Sequence, residues 1–237
     1  MSDEKLRELE RRFRETGSAE DEVAWLRERA RSGEKLDWES YSRLHELDVD
    51  AAADYLRWRV ATGDLAQERL ELAAFCEFPG ARLAAPEAET PPELLGQLFE
   101  SIERSWGRRA VVGAAVAAAQ AALDSCMRSG HSKEALPVAL VEAANLAFRC
   151  PSRAHSEAAW AAYRSFSGGF WRGTAGEDTS LQSAQSAALA CARAAAGRHH
   201  AARKALDEAA AAAGTQSVRA AVLRYLLTWA LSSDSPI

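Results

Sequence analysis

The chain has 237 residues, 48% hydrophobic and 27% charged, proportions ordinary for a soluble globular protein of one large domain or two small ones. Its net charge of −5 divides into −10 over residues 1–100 (14 basic, 24 acidic) and +5 over residues 101–237 (15 basic, 10 acidic). That balance excludes a strongly basic domain, the usual mark of a nucleic-acid binder, and leaves two surfaces that either dock on one another or are solvated differently.

In chain order, almost every segment predicts helix. The opening MSDEKLRELE is charged and has no apolar core of a leader, so secretion is not expected. Leu6, Leu9 and Phe13 recur at helical spacing, and Gly17 ends that helix. Ser18 and Asp21 form a capping box for a second helix with Val23, Leu26 and Ala30, which stops at Gly33. Asp37 caps a third, with Trp38, Tyr41 and Leu44 on one face. The pattern then returns: Trp25-Leu26-Arg27-x-Arg29 before Gly33 matches Tyr55-Leu56-Arg57-x-Arg59 before Gly63, 30 residues on. Leu36 and Tyr41 find counterparts in Leu65 and Leu70 at an offset of 29. Two copies of a helix–turn–helix unit predict an α-hairpin array, in which each unit buries its apolar face on a neighbour.

The stretch FPGARLAAPEAETPP, residues 78–92, reads as a linker rich in Pro, Ala and Glu. Three parts follow: an acidic hairpin subdomain over 1–80, a linker over 81–92 and an Ala-rich helical subdomain over 93–237. Pro92 is placed in the first turn of a helix with Leu95, Leu98, Phe99 and Ile102. A further helix runs from about Arg108 to Arg128 and ends near Gly130; its apolar run AVVGAAVAAAQAAL is shorter than the roughly 20 residues a spanning helix needs. A buried, closely packed helix is expected there. Ser132 caps the next, with Pro137 early and Leu140, Ala144 and Phe148 on a face. Ser152 caps another with Trp160, Tyr163 and Phe166. Asp178 or Ser180 starts a helix ending at Gly197, and two more follow, broken at Gly214-Thr215. The last carries Val218, Val222, Tyr225, Leu226 and Trp229. The predicted fold is all-α, of stacked antiparallel helical hairpins.

Motifs that would carry chemistry fail on inspection. In SGGFWRGTAG, Gly168 and Gly173 have P-loop spacing, but Thr174 and Ala175 stand where Lys and Ser/Thr are required. HELDVD lacks the second histidine of a zincin, since position 49 is Val, and an EF-hand would need glycine and acid where Ala53 and Arg59 stand. Asp48 or Asp50 instead caps the helix holding Tyr55. His199 and His200, adjacent on a helix, diverge by about 100° and with Arg193, Arg198, Arg203 and Lys204 make a small basic face for phosphate, an acidic partner or solvent. Cys76, Cys126, Cys150 and Cys191 form no CxxC pair and read as reduced, buried core thiols. No cofactor and no metal is expected. Phe170, Trp171 and Arg172 are the candidate interaction residues, either a contact patch or two rings plugging the loop from beneath.

The segments LRELERRFRETGSAEDEVAWLRER and GDLAQERLELAAFC resemble the opening of uncharacterised Ala/Arg-rich bacterial helical proteins, a likeness over about a third of the chain that implies no activity. QSAALACARAAAGRHHAARKALDEAAAAA is similar in composition to immunity proteins of bacterial toxin systems. The expectation is therefore a non-enzymatic interaction or scaffold protein of a bacterial cytoplasm, binding a protein partner or a second copy of itself, with no membrane and no nucleic acid. An immunity protein, or an enzyme with a site assembled by the fold, are the alternatives.

Overall fold

The structure is a computed structural model and describes residues 2–131, 137–167 and 179–232. These residues form twelve α-helices and no strand, the all-α arrangement of packed hairpins that the periodicity predicts. The chain divides into two compact units: one runs to Thr90 and also takes the stretch from Ala230, and the other spans Pro91–Trp229.

In the first unit, α1 (Ser2–Thr16), α2 (Ala19–Arg31), α3 (Trp38–Leu47), α4 (Val49–Ala61), α5 (Gln67–Phe75) and α6 (Pro79–Ala84) follow one another through short turns. The internal repeat holds at atomic detail. Helices α2 and α4 are both 13 residues long, and their N-caps Ser18 and Asp48 and C-caps Ser32 and Thr62 are each 30 apart. Each cap side chain accepts the third following backbone N–H, Asp21 to Ser18 and Ala51 to Asp48, both at 3.1 Å. Each helix ends on a glycine in the left-handed region, Gly33 at φ 83° and Gly63 at φ 77°, a conformation that a side chain disfavours. The carbonyls of Arg29 and Arg59 take the returning N–H of Glu34 and Asp64. Leu26 and Leu56, Leu36 and Leu65, and Tyr41 and Leu70 are all buried. The Ser18 box closes differently from expectation: the Asp21 carboxylate accepts from the hydroxyls of Thr16 (2.7 Å) and Ser18 (3.0 Å) and from Arg12 (2.7 Å).

The first half of 78–92 is not an open linker. Residues 79–84 form α6, packed on α4 and α5 with Gly80 and Ala81 buried. His45 explains how so short a helix is held: its ring stacks on Phe78 at 4.1 Å, and its Nε2 accepts the Gly80 N–H at 3.2 Å. The buried guanidiniums of Arg59 and Arg69 donate to the backbone carbonyls of Leu231 and Ser232.

The second unit contains α7 (Leu95–Arg128), α8 (Val138–Arg149), α9 (Arg153–Ser167), α10 (Thr179–Ala195), α11 (Ala201–Ala213) and most of α12 (Thr215–Leu231). The two helices expected from Pro92 and Arg108 are present and meet at a kink at Gly107 (φ 68°, ψ −163°) within the helical run α7. Pro92 lies before this run, and Pro137 directly before α8, rather than inside them. From Gly113 to Ala119 every residue of α7 is buried, so the helix is covered all round there by α8, α10, α11 and α12. Small side chains permit that closeness. A Cβ on Gly113 would come within 2.8 Å of the Phe148 ring and 3.3 Å of Leu226. By length and composition α7 could cross a membrane, but 67% of its most apolar window is buried in the fold. Ser152 caps α9 as expected, accepting the His155 N–H at 3.1 Å. Ser180 sits inside α10; Ser132 and Asp178 lie outside the described residues.

Candidate functional site

A surface groove lies between the two equivalent helices of the repeat. Arg27, Ala30 and Arg31 of α2 and Ala51, Asp54, Tyr55 and Trp58 of α4 line a groove of about 270 Å³. Its shape follows from the residues at its ends. At one end Asp48 does two jobs: one carboxylate oxygen caps α4, and the other takes the Arg27 guanidinium of α2. At the other end Trp58 lies over Gly33, where a Cβ would stand 3.3 Å from the indole. Arg27 facing Asp48 and Gly33 facing Trp58 mean that α2 and α4 run in the same sense, as equivalent helices of successive repeats do. Between the ends, Ala30 and Ala51 are too small to fill the gap.

The walls differ in chemistry. Trp58 stacks on Tyr55 at 5.7 Å and 22°, and the Tyr55 hydroxyl accepts the Leu36 N–H at 2.8 Å, so the two rings form a fixed plate. Burial raises the Tyr55 pKa, which keeps the phenol neutral. Opposite, Arg31 is exposed and makes no ion pair or hydrogen bond among the described residues. Asp54 is occupied by Arg57 at 2.7 Å. The groove therefore offers a free guanidinium beside an aromatic plate, the pairing that recurs where a protein partner supplies an apolar side chain flanked by a carboxylate.

Of the residues singled out in the sequence, Phe170, Trp171 and Arg172 lie outside the described residues. His45 and Asp48 have the structural duties already given, and no group of three or more His, Cys, Asp or Glu among the described residues is placed to hold a metal. His199 and His200 are not on a helix: they occupy the turn between α10 and α11, rings 6.2 Å apart at 72°. Cys76, Cys126 and Cys191 are buried and form no disulfide, with burial pushing the Cys76 and Cys191 thiols well above their ordinary range. Cys150 departs from expectation and is exposed, because it follows α8 in the bend before α9. The sequence reading missed Arg31 and Trp58. The 30-residue offset was the signal that would have found them, since it sets α2 beside α4 and brings their exposed edges together.

Compared with protein-family models, with curated proteins and with solved structures, the chain matches none.

Proposed function

We propose that this chain is a binding protein, whose hairpin repeat presents the α2/α4 groove to a segment of a partner protein. The observation that carries this reading is the pairing of unengaged Arg31 with the immobilised Trp58–Tyr55 plate across a floor of alanines. An apolar side chain of the partner would lie on Trp58 and a neighbouring carboxylate would reach Arg31. The groove lining supports recognition rather than catalysis, since it pairs no nucleophile with a base: the Tyr55 hydroxyl is engaged by Leu36 and Asp54 by Arg57. A reducing cytoplasm suits buried thiols that form no disulfide.

The test is capture of partners from the host with the wild type and with Arg31→Glu, followed by reconstitution with the purified partner. A stoichiometric partner should be retained by the wild type and weakened by about tenfold or more in the variant, at unchanged melting temperature. Equal binding by both proteins would remove the groove from the account. The partner's identity separates a scaffold from an immunity protein, which would bring down a toxin.

A further inference from the structure

The basic face of the second unit divides into two kinds of side chain. Arg203 is neutralised by Glu100 at 3.5 Å and Asp207 at 3.4 Å, and Lys204 lies 4.0 Å from Glu208. Among the described residues, Arg193 of α10 and Arg198 of the following turn have no carboxylate. Their contacts are aromatic: Arg193 lies over Tyr163 at 5.5 Å and Arg198 over Trp160 at 5.7 Å. The two rings belong to α9 and stack on one another at 5.1 Å and 17°. Two uncompensated guanidiniums are thus set side by side on one aromatic ladder.

A guanidinium whose face rests on a ring keeps its in-plane N–H edge for hydrogen bonding, and that edge matches a two-oxygen anion. The donor supply is larger still. Arg193 Nε is a buried donor without a hydrogen-bond partner among the described residues, and His199 Nδ1, a donor or an acceptor according to the ring's tautomer, is likewise unpartnered there. Helix α11 starts directly after this turn, with His200 at its N-cap making no side-chain cap and no acidic residue in its first turn. Its positive end adds to the same field. Each ring stacks on the other and also carries an arginine, which leaves little ring face for bases and argues against single-stranded nucleic acid.

We infer that Arg193 and Arg198, with the His199-His200 turn at the head of α11, form a binding site for a phosphate-type dianion. Two guanidiniums and a helix N-terminus favour a dianion over the single charge of a carboxylate. This site is separate from the α2/α4 groove and stands or falls independently of it.

The experiment is calorimetric titration of the full chain with inorganic phosphate and pyrophosphate, with acetate as the carboxylate arm. Saturable binding of the phosphates is expected at millimolar concentrations or below. Arg198→Gln, at an exposed position, should weaken it about tenfold or more at unchanged melting temperature. Arg203→Gln should leave it unchanged, because that guanidinium is already engaged. The inference is overturned by any of three results: no saturable phosphate binding by the wild type, wild-type affinity in Arg198→Gln, or acetate binding as tightly as phosphate.

Discussion

Asp48 ties the repeat together at a single side chain. It caps α4 through the Ala51 N–H at 3.1 Å and holds Arg27 of α2. Asp48→Ala should cost about 1–2 kcal/mol from the lost cap, visible as a lower denaturant midpoint. Arg27→Ala spares the cap and should cost less. The sequence left Asp48 and Asp50 as equal candidates, and what separates them is register: Asp48 lies 30 residues after the N-cap Ser18. Two titrations belong at this scale. Burial lowers the pKa of His45, whose Nε2 accepts the Gly80 N–H. The neutral ring is the one the fold selects, so its stabilisation is complete above the unfolded value of about 6.5 and is lost as pH falls from there through the lower folded value. His45→Gln should flatten the pH dependence of stability in that window. Unaltered dependence would show that His45 is not the titrating group. Hydrogen bonds from Thr16 and Ser18, assisted by Arg12, hold Asp21 below the usual carboxylate range. Its contribution is present above about pH 4 and fades below it as the carboxylate protonates. Asp21→Asn should therefore lower the melting temperature near neutral pH, with the difference shrinking in acid.

At the scale of elements, caps and glycines were legible because they are local. Gly17, Gly33, Gly63, Gly130, Gly197 and Gly214 all follow helices and all have positive φ. Gly63→Ala should cost about 1–2 kcal/mol from conformation alone, since nothing lies within 4 Å of the added Cβ. Gly113→Ala has helical backbone, and there the cost is packing. The Phe148 ring, only 2% exposed and 2.8 Å from that Cβ, has to move, at about 1–3 kcal/mol. Thermal unfolding of the two variants separates strain from overpacking, because only Gly113→Ala should disturb the Phe148–Tyr225 and Phe148–Trp229 contacts. What the sequence hid at this scale is tertiary. Pro79 and Gly80 look like punctuation, yet α6 persists because His45 and Tyr41 pack where Gly80 has no side chain. The stop before Arg108, by contrast, was legible in the sequence: it is the kink at Gly107 within α7.

At the scale of the whole molecule, the first unit is completed by residues distant in sequence. Arg59 and Arg69 are 6% and 7% exposed and donate to the carbonyls of Leu231 and Ser232. A fragment of residues 1–90 lacks both acceptors, and losing a partner for a buried donor costs about 1–3 kcal/mol. The fragment should melt below the first transition of the full chain; an equal melting temperature would show those contacts to be dispensable. The repeat and its caps could be read in the sequence, whereas the groove could not, because its walls are defined only once α2 lies against α4. That groove carries the functional reading, and amide hydrogen exchange of the full chain with and without its captured partner tests it most directly. The expected result is slowed exchange in residues 27–33 and 51–58 on binding, abolished by Arg31→Glu. Protection confined to other segments, with 27–33 and 51–58 exchanging as in the free protein, would contradict it.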